Sequence, residues 1–313
     1  MHGDVEMLRK IVLAAIAAAV LGLGLFWVLT IPARVTAGEL PPHTANLDNG
    51  KVMFAIGGCA SCHATPNQED RTKLGGGLGL RSPFGIFHVP NISSDAKDGI
   101  GAWSEADFVT AVMKGTAPDG SHYYPAFPYT SYQRMKLDDV RDLFAFLKTL
   151  PAVAGRIRDH ELPFPFTIRR GLGLWKLLYL DGQPFKPDPS QSEAWNRGAY
   201  LVNAPGHCAE CHSPRNAFGA IIAEQRFAGG PAPDGQGGVP NITQAKLKGW
   251  SPADFVEFLA SGMTPDADFI GGSMTDVIRN TAQLSKPDRE AMAHYLKSLP
   301  PVERPGQKKP AGG

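Results

Sequence analysis

Gly57-Gly58-Cys59-Ala60-Ser61-Cys62-His63 and Gly206-His207-Cys208-Ala209-Glu210-Cys211-His212 decide the reading of this chain. They hold all four cysteines of the 313-residue sequence, each as a Cys-x-x-Cys pair followed directly by histidine. No cysteine is left for a structural disulfide or a free thiol. Cys-x-x-Cys-His is the attachment pattern of haem c, with the two sulfurs bonded to the haem vinyl groups. One helical turn sets both sulfurs and the imidazole along one edge of the macrocycle, so His63 and His212 reach the iron from one face. A zinc site would need four ligands at its own spacing, and a dithiol redox pair does not require an adjoining histidine. The expectation is two covalently bound haem c groups.

Around these motifs the chain repeats itself at a period of about 150 residues. Val89-Pro90-Asn91-Ile92 recurs as Val239-Pro240-Asn241-Ile242, and Trp103-Ser104-Glu105-Ala106-Asp107-Phe108-Val109 as Trp250-Ser251-Pro252-Ala253-Asp254-Phe255-Val256. Phe146-Leu147-Lys148-Thr149-Leu150-Pro151 recurs as Tyr295-Leu296-Lys297-Ser298-Leu299-Pro300. The order and gaps match, so the chain holds two copies of one domain, and the period is too long for a solenoid unit. Short amphipathic helices are expected before each motif, over Asn49–Ile56 and Glu193–Asn203. Ser104 and Ser251 read as N-caps, each with aspartate three residues on, and Pro252 suits a first helical position. Helical spacing of apolar residues places closing helices over Asp138–Thr149 and Asp288–Ser298, each stopping at Leu-Pro. No strand pattern stands out, so the domains read as mostly α.

The expected boundaries are an anchor or signal over 1–36, domain one over 37–154, a linker over 155–190, domain two over 191–303 and a tail over 304–313. Ile11–Thr30 carries no charge, Arg9 and Lys10 precede it, and Trp27 lies near its far end. Twenty helical residues span about 30 Å, enough for a hydrocarbon core. The flanking charge puts the N-terminus in the cytoplasm and the main body outside. A cleaved signal is the rival, because Val35-Thr36-Ala37 resembles a small-residue cleavage site. Either reading exports the body. A net charge of +1 with 19% charged residues gives no basic patch for nucleic acid. In the linker, Leu172, Leu174, Trp175, Leu177, Leu178 and Tyr179 form an apolar cluster. It either packs between the two domains or offers a docking surface for a partner or the membrane.

The sixth iron ligand is less strongly marked. A methionine thioether would raise the potential and close the site. Met53, Met113 and Met292 fall on helix faces and read as core. That leaves Met135 in copy one, with His122 as an alternative, and Met274 or Met263 in copy two. The two ligand loops do not align, since the position matching Met135 is Leu284. His43 and His160 fall in segments expected at the surface, and His88 and His294 have no counterpart in the other copy. Asn91 and Asn241 suggest hydrogen bonds to haem propionate or backbone, and Trp103 and Trp250 haem-edge or core packing.

The motifs, the Val-Pro-Asn-Ile loops, Tyr124-Pro125-Ala126-Phe127-Pro128-Tyr129-Thr130-Ser131-Tyr132-Gln133-Arg134-Met135, and the segments Phe166-Thr167-Ile168-Arg169-Arg170-Gly171 and Trp175-Lys176 resemble a family. It is that of the membrane-bound cytochrome c subunits of bacterial periplasmic dehydrogenases, and the resemblance covers roughly residues 45–303. It implies two tandem class I cytochrome c-like domains behind a transmembrane helix at the bacterial inner membrane, with the body on the periplasmic side. It implies Met135 and Met274 as distal ligands. It also implies a partner, a catalytic dehydrogenase subunit of molybdenum hydroxylase or quinoprotein type, whose electrons go on to quinone, a soluble cytochrome or a terminal oxidase. The alcohol dehydrogenase subunit of that family carries three haems where this sequence has two motifs, so its quinone reduction is not carried over. An enzymatic alternative, a dihaem peroxidase, needs one iron open to peroxide. Thiosulfate oxidation would need a further cysteine ligand, and a haem sensor would need a signalling domain.

Overall fold

The computed structural model describes residues 2–232, 235 and 237–304; most of the expected tail at 304–313 lies outside them. The chain begins with the long helix α1 (His2–Leu29). Its span Gly3–Leu29 has mean hydropathy 2.6, and no residue of its most apolar stretch is buried against the rest of the protein.

Two helical repeats follow. The first contains α2 (Leu47–Ile56), α3 (Cys59–His63), α4 (Glu105–Lys114), α5 (Tyr129–Tyr132) and α6 (Leu137–Thr149). The second contains α8 (Glu193–Asn203), α9 (Ala209–His212), α10 (Gln244–Leu247), α11 (Pro252–Ser261), α12 (Met274–Thr281) and α13 (Lys286–Ser298). Between them lies α7 (Leu172–Tyr179), a helix where the sequence showed only an apolar cluster. Each repeat also carries an antiparallel hairpin that the sequence reading missed: β1 (Gly79–Ser82) with β2 (Gly85–His88), and β3 (Gly230–Pro231) with β4 (Gly238–Val239). These strands are too short and Gly-rich for period-2 patterning to show.

The helix ends obey the local chemistry. Ser104 and Ser251 each accept a hydrogen bond from the amide three residues on, and Asp107 and Asp254 return one, closing two capping boxes. Gly115 and Gly262 end α4 and α11 in the left-handed conformation. The closing helices begin one to two residues earlier than their apolar periodicity suggested, at Leu137 and Lys286.

The framework of each repeat is one helix crossing: α2 on α6, and α8 on α13. The two crossings are built alike. At Gly50 a β-carbon would collide with the carbonyl of Asp142 and stand 2.7 Å from Phe146 Cβ, and at Gly198 it would run into the carbonyl of Ala291. Glycine permits backbone-to-backbone approach at both points. Met53, Val140, Leu147, Leu201 and Met292 fill the space beside the crossings, and the apolar core runs without interruption from one repeat into the other. Tyr200 seals the join. Its hydroxyl donates to Asp139 and accepts from the amide of Lys136 (3.2 Å).

Gly198→Ala should therefore lower stability by about 1–3 kcal/mol, the usual cost of overpacking a filled core. Urea unfolding followed by circular dichroism measures it, and the loss should show as a lower midpoint at unchanged slope.

Candidate functional site

Helices α2 and α8 deliver the two Cys-x-x-Cys-His motifs to their places. Cys59, Cys62, Cys208 and Cys211 are all unpaired, with no disulfide formed. Burial, first, pushes the Cys59 and Cys208 thiols up to about 12. In both motifs the histidine Nδ1 donates to the proline carbonyl of the repeated Val-Pro-Asn-Ile loop. His63 bonds Pro90 at 2.8 Å and His212 bonds Pro240 at 2.8 Å. That bond fixes the tautomer and leaves the Nε2 lone pair free for a metal. Burial pushes His63 down to about 4 and lowers His212 as well, against the pull of the carbonyl, so both rings are neutral, as a ligand must be. Four free sulfurs and two oriented neutral imidazoles, one set per repeat, fit two haem c groups.

Two glycines that sequence reasoning passed over make this possible. Gly76 donates its amide to the His63 carbonyl, and Gly229 to that of His212, each at 2.8 Å. Both have positive φ, at 70° and 73°. A β-carbon on Gly76 would lie 2.5 Å from the Pro90 carbonyl, and one on Gly229 would lie 2.6 Å from that of Val239. The proline loop can reach the histidine only because nothing stands there. The signal was present as Gly75-Gly76-Gly77 and Gly229-Gly230, which begin 12 and 17 residues after the motif histidines.

The loop asparagines serve the backbone. Asn91 donates to Val153 and Gly155, Asn241 donates to Val302, and each accepts from the amide two residues on. Trp103 and Trp250 pack against the core.

The two motifs, far apart in sequence, meet in space. Helix α5 of the first repeat reaches the second motif: Thr130 and Ser131 donate to Glu210 at 2.6 and 2.7 Å. Helix α12 of the second repeat reaches the first motif: Asn280 donates to Ser61 at 2.8 Å, and Asp276 pairs with Arg71 at 3.3 Å. Ser61 and Glu210 occupy the same position within their motifs, so the exchange is reciprocal. His207 and the Tyr132 hydroxyl both bond the carbonyl of Gly57, and their rings lie 5.5 Å apart. Cys62 is close enough to Cys211 that, after burial, this second thiol raises its pKa further. Glu210 is buried, which opposes its charge. The Arg215 guanidinium at 2.7 Å and the two hydroxyls nonetheless hold it below the usual carboxylate range.

Met135 is buried in the joined core, just after α5, and Met274 is half-buried as the first residue of α12. Met263 sits in an isolated bridge with Phe269. His122 is buried and donates from Nε2 to the Thr30 carbonyl at 3.0 Å, at the end of α1. Two histidines depart from their expected solvation: His43 bonds Asp142 at 2.7 Å, and His160 accepts from the His88 amide at 3.1 Å. Both are half-buried within segments whose loop-like composition hid their contacts.

Gly76→Ala should cost about 2–4 kcal/mol, from a left-handed non-glycine residue and the clash with Pro90. With the carbonyl pushed away, His63 loses basicity. Redox titration should then show one midpoint potential rising while the other holds.

The model of the cytochrome c family matches residues 47–151. A diheme cytochrome c-type protein of Cereibacter sphaeroides is 48% identical over 88% of this chain and 93% of its own length. A nicotinate dehydrogenase subunit of Pseudomonas putida is 35% identical over 92% of the chain, which spans 24% of that protein. The fructose dehydrogenase cytochrome subunit of Gluconobacter japonicus is 36% identical over 85% of the chain, which spans 55% of that subunit. With both attachment motifs in place and each histidine aimed by its proline carbonyl, the chain belongs to the family of dihaem c-type cytochromes, electron-transfer proteins with two covalently bound haem c groups.

Proposed function

We propose that the chain is the electron-transfer subunit of a periplasmic dehydrogenase complex, held at the inner membrane by α1, with the catalytic chemistry in a partner polypeptide. The observation that carries this reading is the reciprocal packing of the two motifs. Each repeat extends an arm onto the other's attachment site, through Ser61–Asn280 and through Glu210 with Thr130 and Ser131. Bound haem supplies an iron that cycles between two oxidation states. The chain's part would be to hold two such centres close together on one continuous core, with His63 and His212 presenting their Nε2 atoms to the irons, which suits a relay.

In this reading His63 and Met135 ligate one iron and His212 and Met274 the other, within units at 37–154 and 191–303 joined by 155–190. The partner is a molybdenum hydroxylase or a quinoprotein, and the acceptor is quinone, a soluble cytochrome or an oxidase. The names of the nicotinate and fructose dehydrogenase relatives support a dehydrogenase partner. Retention of α1 is supported by how its end is tied to the body. Thr30 is fully buried, Arg34 donates to the Pro118 carbonyl at 2.9 Å, and the Val35 amide donates to Thr110 at 2.9 Å. Cleavage after Ala37 would remove all three.

Solubilised in mild detergent from its native membrane, the chain should co-purify with a catalytic dehydrogenase and be reduced on addition of that enzyme's substrate. Peroxide turnover by the isolated dihaem protein would overturn the relay reading.

Met135→Ala and Met274→Ala should each remove about half of the near-infrared Met–iron band and lower one midpoint potential, because a thioether ligand raises it. Met263→Ala should leave both unchanged. A loss of the band there would transfer the second role to Met263.

A further inference from the structure

Helix α7 is inside out. Its one charged side chain, Lys176, is buried and donates to the carbonyls of Lys114 (2.8 Å) and Gly115 (2.5 Å) where α4 ends. Its ammonium lies 5.1 Å from the centre of the Tyr129 ring. The other buried residue of the helix is Gly173, where a β-carbon would stand 2.7 Å from Thr30 Cα. The outward face carries Leu174, Leu177 and Leu178, spaced as one helical stripe and 40%, 59% and 73% exposed. A helix against water shows the opposite arrangement, with its lysine out and its leucines in.

The apolar surface continues beyond the helix. Phe164, Phe166 and Ile168 are exposed just before it, and Phe218 is exposed beside it, tied in by the Trp175 indole N–H donating to the Phe218 carbonyl at 2.9 Å. Arg169 lies over the Tyr124 ring and Arg170 over the Trp27 ring, so neither guanidinium breaks the patch open.

What covers this face follows from where it begins. Arg170 donates to the Thr30 hydroxyl and to the Trp27 carbonyl, each at 2.7 Å, at the C-terminal end of α1. A cation is favourable at that end of a helix. Gly173 closes on Thr30 from the same side. Helix α7, with its leucine face outward, is thus docked at the point where the apolar span of α1 ends. A bilayer whose hydrocarbon stops near Thr30 brings its headgroup and upper acyl region to the level of α7. Trp27 under Arg170 at the end of α1, and the paired Trp175 and Tyr179 on α7, are residue types enriched at membrane interfaces.

From this juxtaposition we propose that residues 164–180 lie in the membrane interface, with Leu174, Leu177 and Leu178 among the upper acyl chains. Together with α1 they form a two-point seat. One helix alone would let the body swivel, whereas a second contact through α7 fixes which face of the body meets lipid. Continuity with the span of α1 selects lipid over a protein partner. The proposal rests on retention of α1 as an anchor.

The test uses the full-length holoprotein in vesicles of phosphatidylcholine and phosphatidylglycerol. Haem attachment consumes all four native cysteines, so Leu178→Cys supplies a single thiol for a bimane label, and Leu177→Cys repeats the reading. Haem absorbance checks that each variant is intact. The expected result is severalfold stronger quenching by nitroxide lipid labelled near the top of the acyl chain than by aqueous iodide. An exposed reference site, Glu257→Cys, should show the reverse. Flotation of the unlabelled wild-type chain reads the anchor separately: failure to float removes the anchor reading and the seat with it. Flotation with an iodide-quenched label at 178 removes the seat alone. A label shielded from both quenchers, and only when the catalytic subunit is present, would overturn the lipid assignment in favour of a protein interface.

Discussion

Each proximal histidine is held by one hydrogen bond, from Nδ1 to the carbonyl of a proline in a loop well downstream, and the architecture of both repeats serves that bond. A histidine on a one-turn helix, placed between two cysteines and a loop, has no rotamer of its own that guarantees its aim. The carbonyls of Pro90 and Pro240 supply the aim. The loops reach the ring because Gly76 and Gly229 clear the way, and they stay put because Asn91 and Asn241 pin them to the segments after the closing helices. Those segments are placed in turn by the crossings at Gly50 and Gly198. A slip at a crossing would pass through the asparagine and proline to the histidine, and so to the iron it is there to hold.

Much of this was legible in the sequence, for physical reasons. Attachment of haem c imposes a fixed spacing on cysteine and histidine, so the motifs read directly. Capping chemistry is local, so Ser104 and Ser251 mark their helices without help from tertiary structure. The crossing glycines and the loop-clearing glycines were harder, because a glycine that permits contact looks like one that merely permits a turn. The hairpins were invisible, being four residues or fewer per strand. The mutual docking of the motifs was not readable at all. Nothing local says that Asn280 should bond Ser61 or that Thr130 should bond Glu210, because both contacts depend on how two domains meet.

That meeting is reciprocal in layout and unequal in chemistry. At the same motif position one repeat has a serine and the other a glutamate. The serine takes one neutral hydrogen bond. The glutamate takes two hydroxyls and an arginine, and keeps its charge although buried. A buried charge polarises whatever lies beside it more than a solvated one, because the surrounding dielectric is low. The two haem sites therefore stand in different fields, although their proximal ligands and loops are built to one plan.

Under the proposed ligation the distal side carries a further inequality, since the two ligand loops do not align. On the proximal side the positions of two thioethers, one ring and one carbonyl are tied together, and a shift in any of them disturbs the rest. A methionine ligand needs no such second fixed bond, and its unbranched, flexible side chain can arrive from many directions. The arms are free to differ where the proximal loops are not. Thus α5 is a single turn with Met135 after it, while α12 is two turns with Met274 at its head. Each arm also docks onto the other repeat's motif, through Thr130 and Ser131 in one case and Asn280 in the other. A change in arm length moves the docking contact and the proposed ligand together, so the arms link the environment of each iron to the closeness of the pair.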